Sequence, residues 1–145
     1  MEDIKTTENK IAENKVQLKN SPFVEDTDTF DVKVIFYKDG NKVFIKDFTE
    51  KFDDQKPADT ISFTIRYPSA GDCSAISTKI STIPHKAEID TTDFTRMETV
   101  RLLFLLKSWS LPEKLDNDTI FKMHPYIIRC VCNRVTEEIG ALGIV

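Results

Sequence analysis

Residues 94–109 read FTRMETVRLLFLLKSW and form the most strongly apolar part of the chain. Apolar side chains recur here at helical spacing and become continuous over residues 102–106, so the stretch predicts a helix with a wider apolar arc than a surface helix needs. Either this helix is central and covered on several sides, or it offers an apolar strip to another subunit. No recognisable catalytic arrangement accompanies it, which favours a module that packs and binds.

Three β-rich runs precede this helix. Residues 31–37 (DVKVIFY) and 42–48 (KVFIKDF) flank Asp39-Gly40, a strong hairpin signal because glycine accepts a positive φ without a Cβ clash. Residues 60–67 (TISFTIRY) alternate strictly between apolar and polar, which is the period of a strand with one face on a core and one in water. A sheet of this kind needs helices to cover its apolar face.

The other predicted helices carry start and stop signals. Ser69 or Asp72 can cap a helix with an apolar face that continues to Pro84, and Thr91, Thr92 or Asp93 can cap the apolar helix. Further along, residues 116–118 can cap a short helix, Pro125 suits the first turn of the last helix, and Gly140 ends it.

These signals together predict an α+β fold. Residues 31–145 form one domain, in which a small antiparallel sheet, a hairpin plus a third strand, is covered by three to four C-terminal helices. Residues 1–30 are mostly polar, with sparse apolar side chains that make no continuous stripe. They predict a flexible N-terminal arm, or alternatively an arm that becomes ordered when it binds a partner.

Length, charge and cysteine content exclude several classes. A chain of 145 residues is about one domain. Its net charge is −4, and its Lys and Arg residues form no cluster. Nucleic acid is therefore not an expected partner. The longest apolar run is far shorter than the roughly 20 residues of a membrane span, and no signal peptide is visible. Three cysteines, an odd number, predict reduced thiols and an intracellular location.

The potential ligands and nucleophiles do not form a site in the sequence. Cys130 and Cys132 would lie about 200° apart around a helix, and His124 is better explained as a capping or surface residue. Cys73, near a helix start, has no recognisable base partner, and a buried structural thiol is the expected role. No glycine-rich phosphate loop is present. We therefore expect no enzyme, no cofactor and no metal site.

The order of three segments resembles phage tail assembly chaperones. The segments are TISFTIRYPSAGDCSAI, DTTDFTRMETVRLLFLLKSWSLPE and KLDNDTIFKMHPYIIRCVCNRVTEEIG, over roughly residues 60–140, with Trp109 the most distinctive residue. The resemblance implies a short sheet followed by helices, no catalytic residues and a location in the host cytoplasm. It also implies binding to the tape measure protein and recruitment of tail tube subunits. The acidic-leaning arm has no counterpart in this resemblance.

Two other functions stay open from the sequence. One is a structural virion subunit of a tail, neck or baseplate, with the arm and the final ALGIV embracing neighbouring copies in a homo-oligomer. The other is a small enzyme or metal-dependent regulator.

The predicted partner-binding residues are Phe104, Leu105 and Trp109, on the wide side of the apolar helix. Tryptophan is frequent among the residues that dominate binding energies. The alternative is a core Trp109 that seals the sheet against the helices.

Overall fold

The computed structural model describes residues 15–81 and 91–140 and confirms the predicted α+β class. In this part of the chain a four-stranded antiparallel sheet is accompanied by four helices. The elements in chain order are β1 (Thr29–Asp39), β2 (Lys42–Ile45), β3 (Asp59–Arg66), α1 (Ala70–Ser81), α2 (Thr91–Leu105), β4 (Leu106–Trp109), α3 (Asn117–Phe121) and α4 (Pro125–Ile139).

The predicted hairpin is confirmed, although its second strand is shorter than expected. β1 and β2 are antiparallel, and their last pair before the turn is Asp39 with Lys42. Gly40 in the turn has a φ of 63°. β2 ends at Ile45 rather than at residue 48, because a turn begins there: the carbonyl of Ile45 accepts from the backbone N–H of Thr49 at 2.8 Å. Asp47 in this turn has a φ of 63°. The chain therefore leaves the sheet three residues early.

β3 is an inner strand of the sheet and shows the predicted alternation. Ile61, Phe63 and Ile65 are at most 4% exposed on the core face. The strand order is β2-β1-β3-β4, and β3 pairs with β1 from Asp59 up to Arg66. β1 begins two residues before the predicted start at residue 31, because Thr29 already pairs with Arg66.

The prediction that one helix continues to Trp109 is wrong for the last four residues. α2 ends at Leu105, and Leu106–Trp109 is β4, which pairs with the other edge of β3. The backbone groups on that edge of β3 find partners only if the chain becomes extended here, and this pairing outweighs the weak helix preference of four residues. The pairing continues beyond β4, since the N–H of Ser110 donates to Ser62 O at 2.9 Å.

The core lies between the sheet and the helices, and α2 is its central helix. α2 contacts α1, α3 and α4, while α4 also packs on β1 and β2. This arrangement explains the wide apolar arc of α2 without a partner protein. The most deeply buried large side chains come from both layers: Val34, Ile45, Phe63, Ile65, Ile76, Leu102, Leu105, Ile120, Ile128, Val131 and Val135.

The predicted caps of α1, α3 and α4 are confirmed, and at α3 the N-cap residue is Asp116. Ser69 and Asp72 form a reciprocal pair in which each side chain accepts from the other residue's backbone N–H, at 3.1 and 3.0 Å. Pro125 lies in the first turn of α4, and Gly140 ends that helix with a φ of 74°. The side chains of the predicted caps at residues 91–93, and the final segment 141–145, lie outside the described part of the molecule.

We expect Ser69→Ala to lower the free energy of unfolding by about 1 kcal/mol, because it removes the acceptor for the N–H of Asp72. Urea unfolding followed by circular dichroism measures this. Ser74→Ala, at an exposed position inside α1, is the control and should be neutral or slightly stabilising, since alanine favours helix. An equal loss in both variants would contradict the capping role.

Candidate protein-binding surface

Two exposed aromatic rings lie where α3 ends and α4 begins. Phe121 is 54% exposed and Tyr126 is 52% exposed. The His124 ring stacks on the Tyr126 ring, with 5.4 Å between centroids and 21° between planes. We call Phe121, His124 and Tyr126 the aromatic corner.

The helix caps and buried neighbours hold this corner in place. The carboxylate of Asp116 accepts from the N–H of Thr119 at 2.8 Å, and Ile120 is 1% exposed, so the residue after it faces outward. At the start of α4, Nδ1 of His124 accepts from the N–H of Tyr126 at 3.3 Å. Ile127 and Ile128, which follow Tyr126, are buried. Because these isoleucines face the core, the rings of Phe121 and Tyr126 beside them in sequence face the solvent.

Trp109 lies on β4 beside Phe63 and is half-buried. The two rings meet edge to face, with 6.5 Å between centroids. Nε1 of Trp109 donates to the carbonyl of Glu113 at 2.9 Å. Trp109 therefore lies at the rim of the core. This position agrees with the alternative in which Trp109 seals the sheet against the helices.

The structure does not bring the three predicted partner-binding residues onto one helix face. Leu105 is 1% exposed and belongs to the core, so it cannot anchor a surface contact in this fold. Phe104 is half-buried, and its backbone carbonyl accepts from the guanidinium of Arg66. A contact role for Phe104 and Trp109 stays a prediction, with the two residues on different elements.

The described part of the arm, residues 15–28, forms no helix or strand and carries exposed apolar side chains. Val16 is 81% exposed, Leu18 64%, Phe23 75% and Val24 41%. Among the residues whose burial the structure describes, the other large apolar side chains exposed to this extent are Phe121 and Tyr126 of the aromatic corner. Single apolar side chains are common on protein surfaces, whereas a group of them close together is typical of a contact surface.

A buried arginine joins α2 to the end of α4. Arg101 is 4% exposed, and its guanidinium donates to Thr136 Oγ1 at 2.8 Å and to the carbonyl of Gly140 at 3.4 Å. Burial lowers the pKa of Arg101, and nearby Cys132, Cys73 and Glu98 act in the opposite direction. A cation at a helix C-terminus is favoured by the helix dipole. These contacts give Arg101 a structural role as a helix cap.

Burial shifts the pKa of two side chains close to Arg101. Burial raises the pKa of Glu98, and its partner Arg129 at 3.7 Å counters that shift. Burial also raises the pKa of Cys132 to about 12, which keeps it a neutral thiol. No group of three or more His, Cys, Asp or Glu in the described ranges could hold a metal ion. Among the helices described, none is both long and apolar enough to cross a membrane.

Comparison of the chain with protein-family models, with curated proteins and with solved structures gave no significant match.

The aromatic corner was not anticipated from the sequence. Phe121 and Tyr126 fit the helical patterns of their segments equally well as core residues, and only the burial of their neighbours distinguishes them. The arm did carry a readable signal, because residues 15–19 (KVQLK) alternate polar and apolar side chains like a half-buried strand.

We expect Trp109→Ala to lower the free energy of unfolding by about 3 kcal/mol, the lower end of the range for buried aromatic residues, since Trp109 is half-buried. Trp109→Phe retains a ring against Phe63 and should lose only about 1 kcal/mol, for the hydrogen bond to Glu113. Chemical denaturation measures both. An alanine variant as stable as the wild type would show that Trp109 contributes nothing to the core.

We expect Cys73 to react with a thiol reagent at pH 8 before the other two cysteines, because Cys130 is 1% and Cys132 5% exposed. All three should react after unfolding, and Cys73→Ser should abolish the fast phase. The raised pKa of Cys132 also means that stability falls as the pH rises above 9.0 toward about 12, since the unfolded thiol ionises first. Three equally fast thiols in the native protein would contradict the burial.

Proposed function

We propose that this chain is a non-enzymatic assembly protein that binds partner proteins through the aromatic corner. The main support for the proposal is the exposure of two aromatic side chains, Phe121 at 54% and Tyr126 at 52%. They lie at the end of α3 and the start of α4, two helices with capped N-termini. Tyrosine is frequent among the residues that dominate binding energies, and aromatic side chains bury a large area at low entropic cost.

The geometry of the corner favours binding without reorganisation. His124 stacks on Tyr126 and accepts from its backbone N–H, while Ile120 and Ile127 lie in the core on either side. Affinity increases when a contact surface is already in its bound conformation, because less conformational entropy is lost on binding. The corner supplies such a preformed surface.

Phage tail proteins are the partners that we propose. The basis is the order of segments over roughly residues 60–140, which resembles phage tail assembly chaperones. The chain would bind the tape measure protein and tail tube subunits in the host cytoplasm and shield their apolar surfaces before the tail is assembled. This role requires binding and release, and no chemical step.

A structural virion subunit is the second candidate, favoured by the exposed apolar side chains of the arm, such as Val16 and Phe23. Such side chains would be covered permanently if neighbouring copies embraced each other in a ring. Mass spectrometry of purified particles separates the two candidates, because an assembly chaperone is absent from the finished virion whereas a subunit is present.

The binding role is tested with the double variant Phe121→Ser/Tyr126→Ser. Loss of each anchor should cost about 2 kcal/mol of binding free energy, equivalent to a roughly thirtyfold higher Kd per residue. Isothermal titration calorimetry with the tail proteins encoded beside this chain measures the Kd. Stability should change little, because both side chains are already exposed.

The matched control is Lys122→Ser/Asn133→Ser, two exposed polar positions on and beside the same helices. It should leave the Kd unchanged. Absence of binding by the wild-type chain to any of these tail proteins would overturn the proposed partners. Equal binding by the wild type and the corner variant would overturn the proposed surface.

A further inference from the structure

Residues 15–19 have the sequence pattern of a strand but lack a partner in the single chain. Val16 and Leu18 alternate with Lys15, Gln17 and Lys19, which is the period of a strand with one apolar face. Yet Val16 is 81% and Leu18 64% exposed, and the segment forms no strand. A pattern of this kind is satisfied only when a sheet edge takes up the backbone hydrogen bonds and a core covers the apolar face.

β4 offers such an edge. It is the last strand in the order β2-β1-β3-β4, so its outer backbone groups pair with no other described strand. Lys107 and Ser108 are exposed, whereas Leu106 and Trp109 lie on the core. A strand added beside β4 would place its apolar residues next to Leu106 and the half-exposed Trp109. Addition of an extended segment to an open edge is a common mode of protein recognition.

The arm leaves the domain beside this edge and not beside β2. Nζ of Lys107 donates to the carbonyl of Asp26 at 3.2 Å, and the N–H of Tyr67 donates to the carbonyl of Asp28 at 3.0 Å. From Asp26, the ten residues back to Val16 can extend about 33 Å. That length reaches the β4 edge of a second copy placed alongside the first.

Charge also favours a second copy as the occupant. Residues 15–19 carry two Lys and no acidic residue, while the whole chain has a net charge of −4. Lys107 on β4 is also positive, but the start of the arm lies against it, through the carbonyl of Asp26, and carries Glu25, Asp26 and Asp28, so acidic side chains flank the edge that the positive segment of another copy would approach.

We propose that two copies of this chain exchange their arms, with residues 15–19 of each adding as an outer strand to β4 of the other. The exchange is reciprocal and closes around a two-fold axis, so that it forms a dimer and no open chain of subunits. It buries Val16 and Leu18 against Leu106 and Trp109. The inference does not depend on the partner protein proposed above, because it uses neither Phe121 nor Tyr126.

Oligomeric state over a range of concentrations is the first test, measured by analytical ultracentrifugation of the full chain. The wild type should be a dimer that dissociates on dilution. Gln17→Pro removes a backbone N–H from the added strand and should raise the dissociation constant by about tenfold or more. Gln17→Ser, the matched control, should leave it unchanged. The variant Phe121→Ser/Tyr126→Ser should also remain a dimer, which separates failure of this inference from failure of the proposed function.

Trp109 gives a second readout, since it is the only tryptophan of the chain. Its fluorescence should shift to longer wavelength on dilution, as the added strand leaves and water reaches the ring. The Gln17→Pro variant should show the longer wavelength at every concentration.

Disulfide trapping identifies the strand that is paired. A copy with Gln17→Cys, which lies on the same solvent face as Ser108 in the added strand, is mixed under oxidising conditions with a copy carrying Ser108→Cys, both in a Cys73→Ser background. A disulfide between the two different copies is expected. Lys42→Cys on the other sheet edge replaces Ser108→Cys in the control and should give none. A monomer at every concentration, a dimer indifferent to Gln17→Pro, or trapping at Lys42→Cys instead would overturn the proposal.

Discussion

The apolar face of β3 is the constraint on which the rest of the structure depends. Ile61, Phe63 and Ile65 are at most 4% exposed, and the strand pairs on both sides, with β1 and with β4. A register shift of one residue would turn these three side chains to the solvent, so the pairing and the core select the same register. The helices then cover one defined face, with α2 at the centre and α4 packed on β1.

Local signals predicted most of the elements, because each depends on neighbours in sequence. The alternation of residues 60–67, the Asp39-Gly40 turn and the caps at Ser69 and Pro125 all act within a few residues. β4 could not be predicted in this way. Leu106–Trp109 continues an apolar helical pattern, and only the unpaired edge of β3, more than 40 residues earlier in the chain, makes it extended.

The candidate surface was less accessible to sequence reasoning than the fold. The apolar excess of residues 102–106 fitted either a central helix or a contact strip, and in the structure Leu102, Leu105 and Leu106 are buried in the core. Apolar content alone does not separate a core residue from a contact residue. The separation requires knowledge of which side chains are already covered, and this is why Phe121 and Tyr126 became candidates only in the folded structure.

The arm and the aromatic corner are surfaces of different thermodynamic kinds. The corner is held by caps and buried isoleucines, so a partner that binds there meets side chains already in position. The described part of the arm has no helix or strand, and fixing each of its residues costs about 1–2 kcal/mol of backbone entropy. In a strand of four or five residues, backbone hydrogen bonds and buried apolar side chains are both needed to offset that entropy cost. The proposed arm pairing should therefore be weaker and more easily reversed than the proposed binding at the corner.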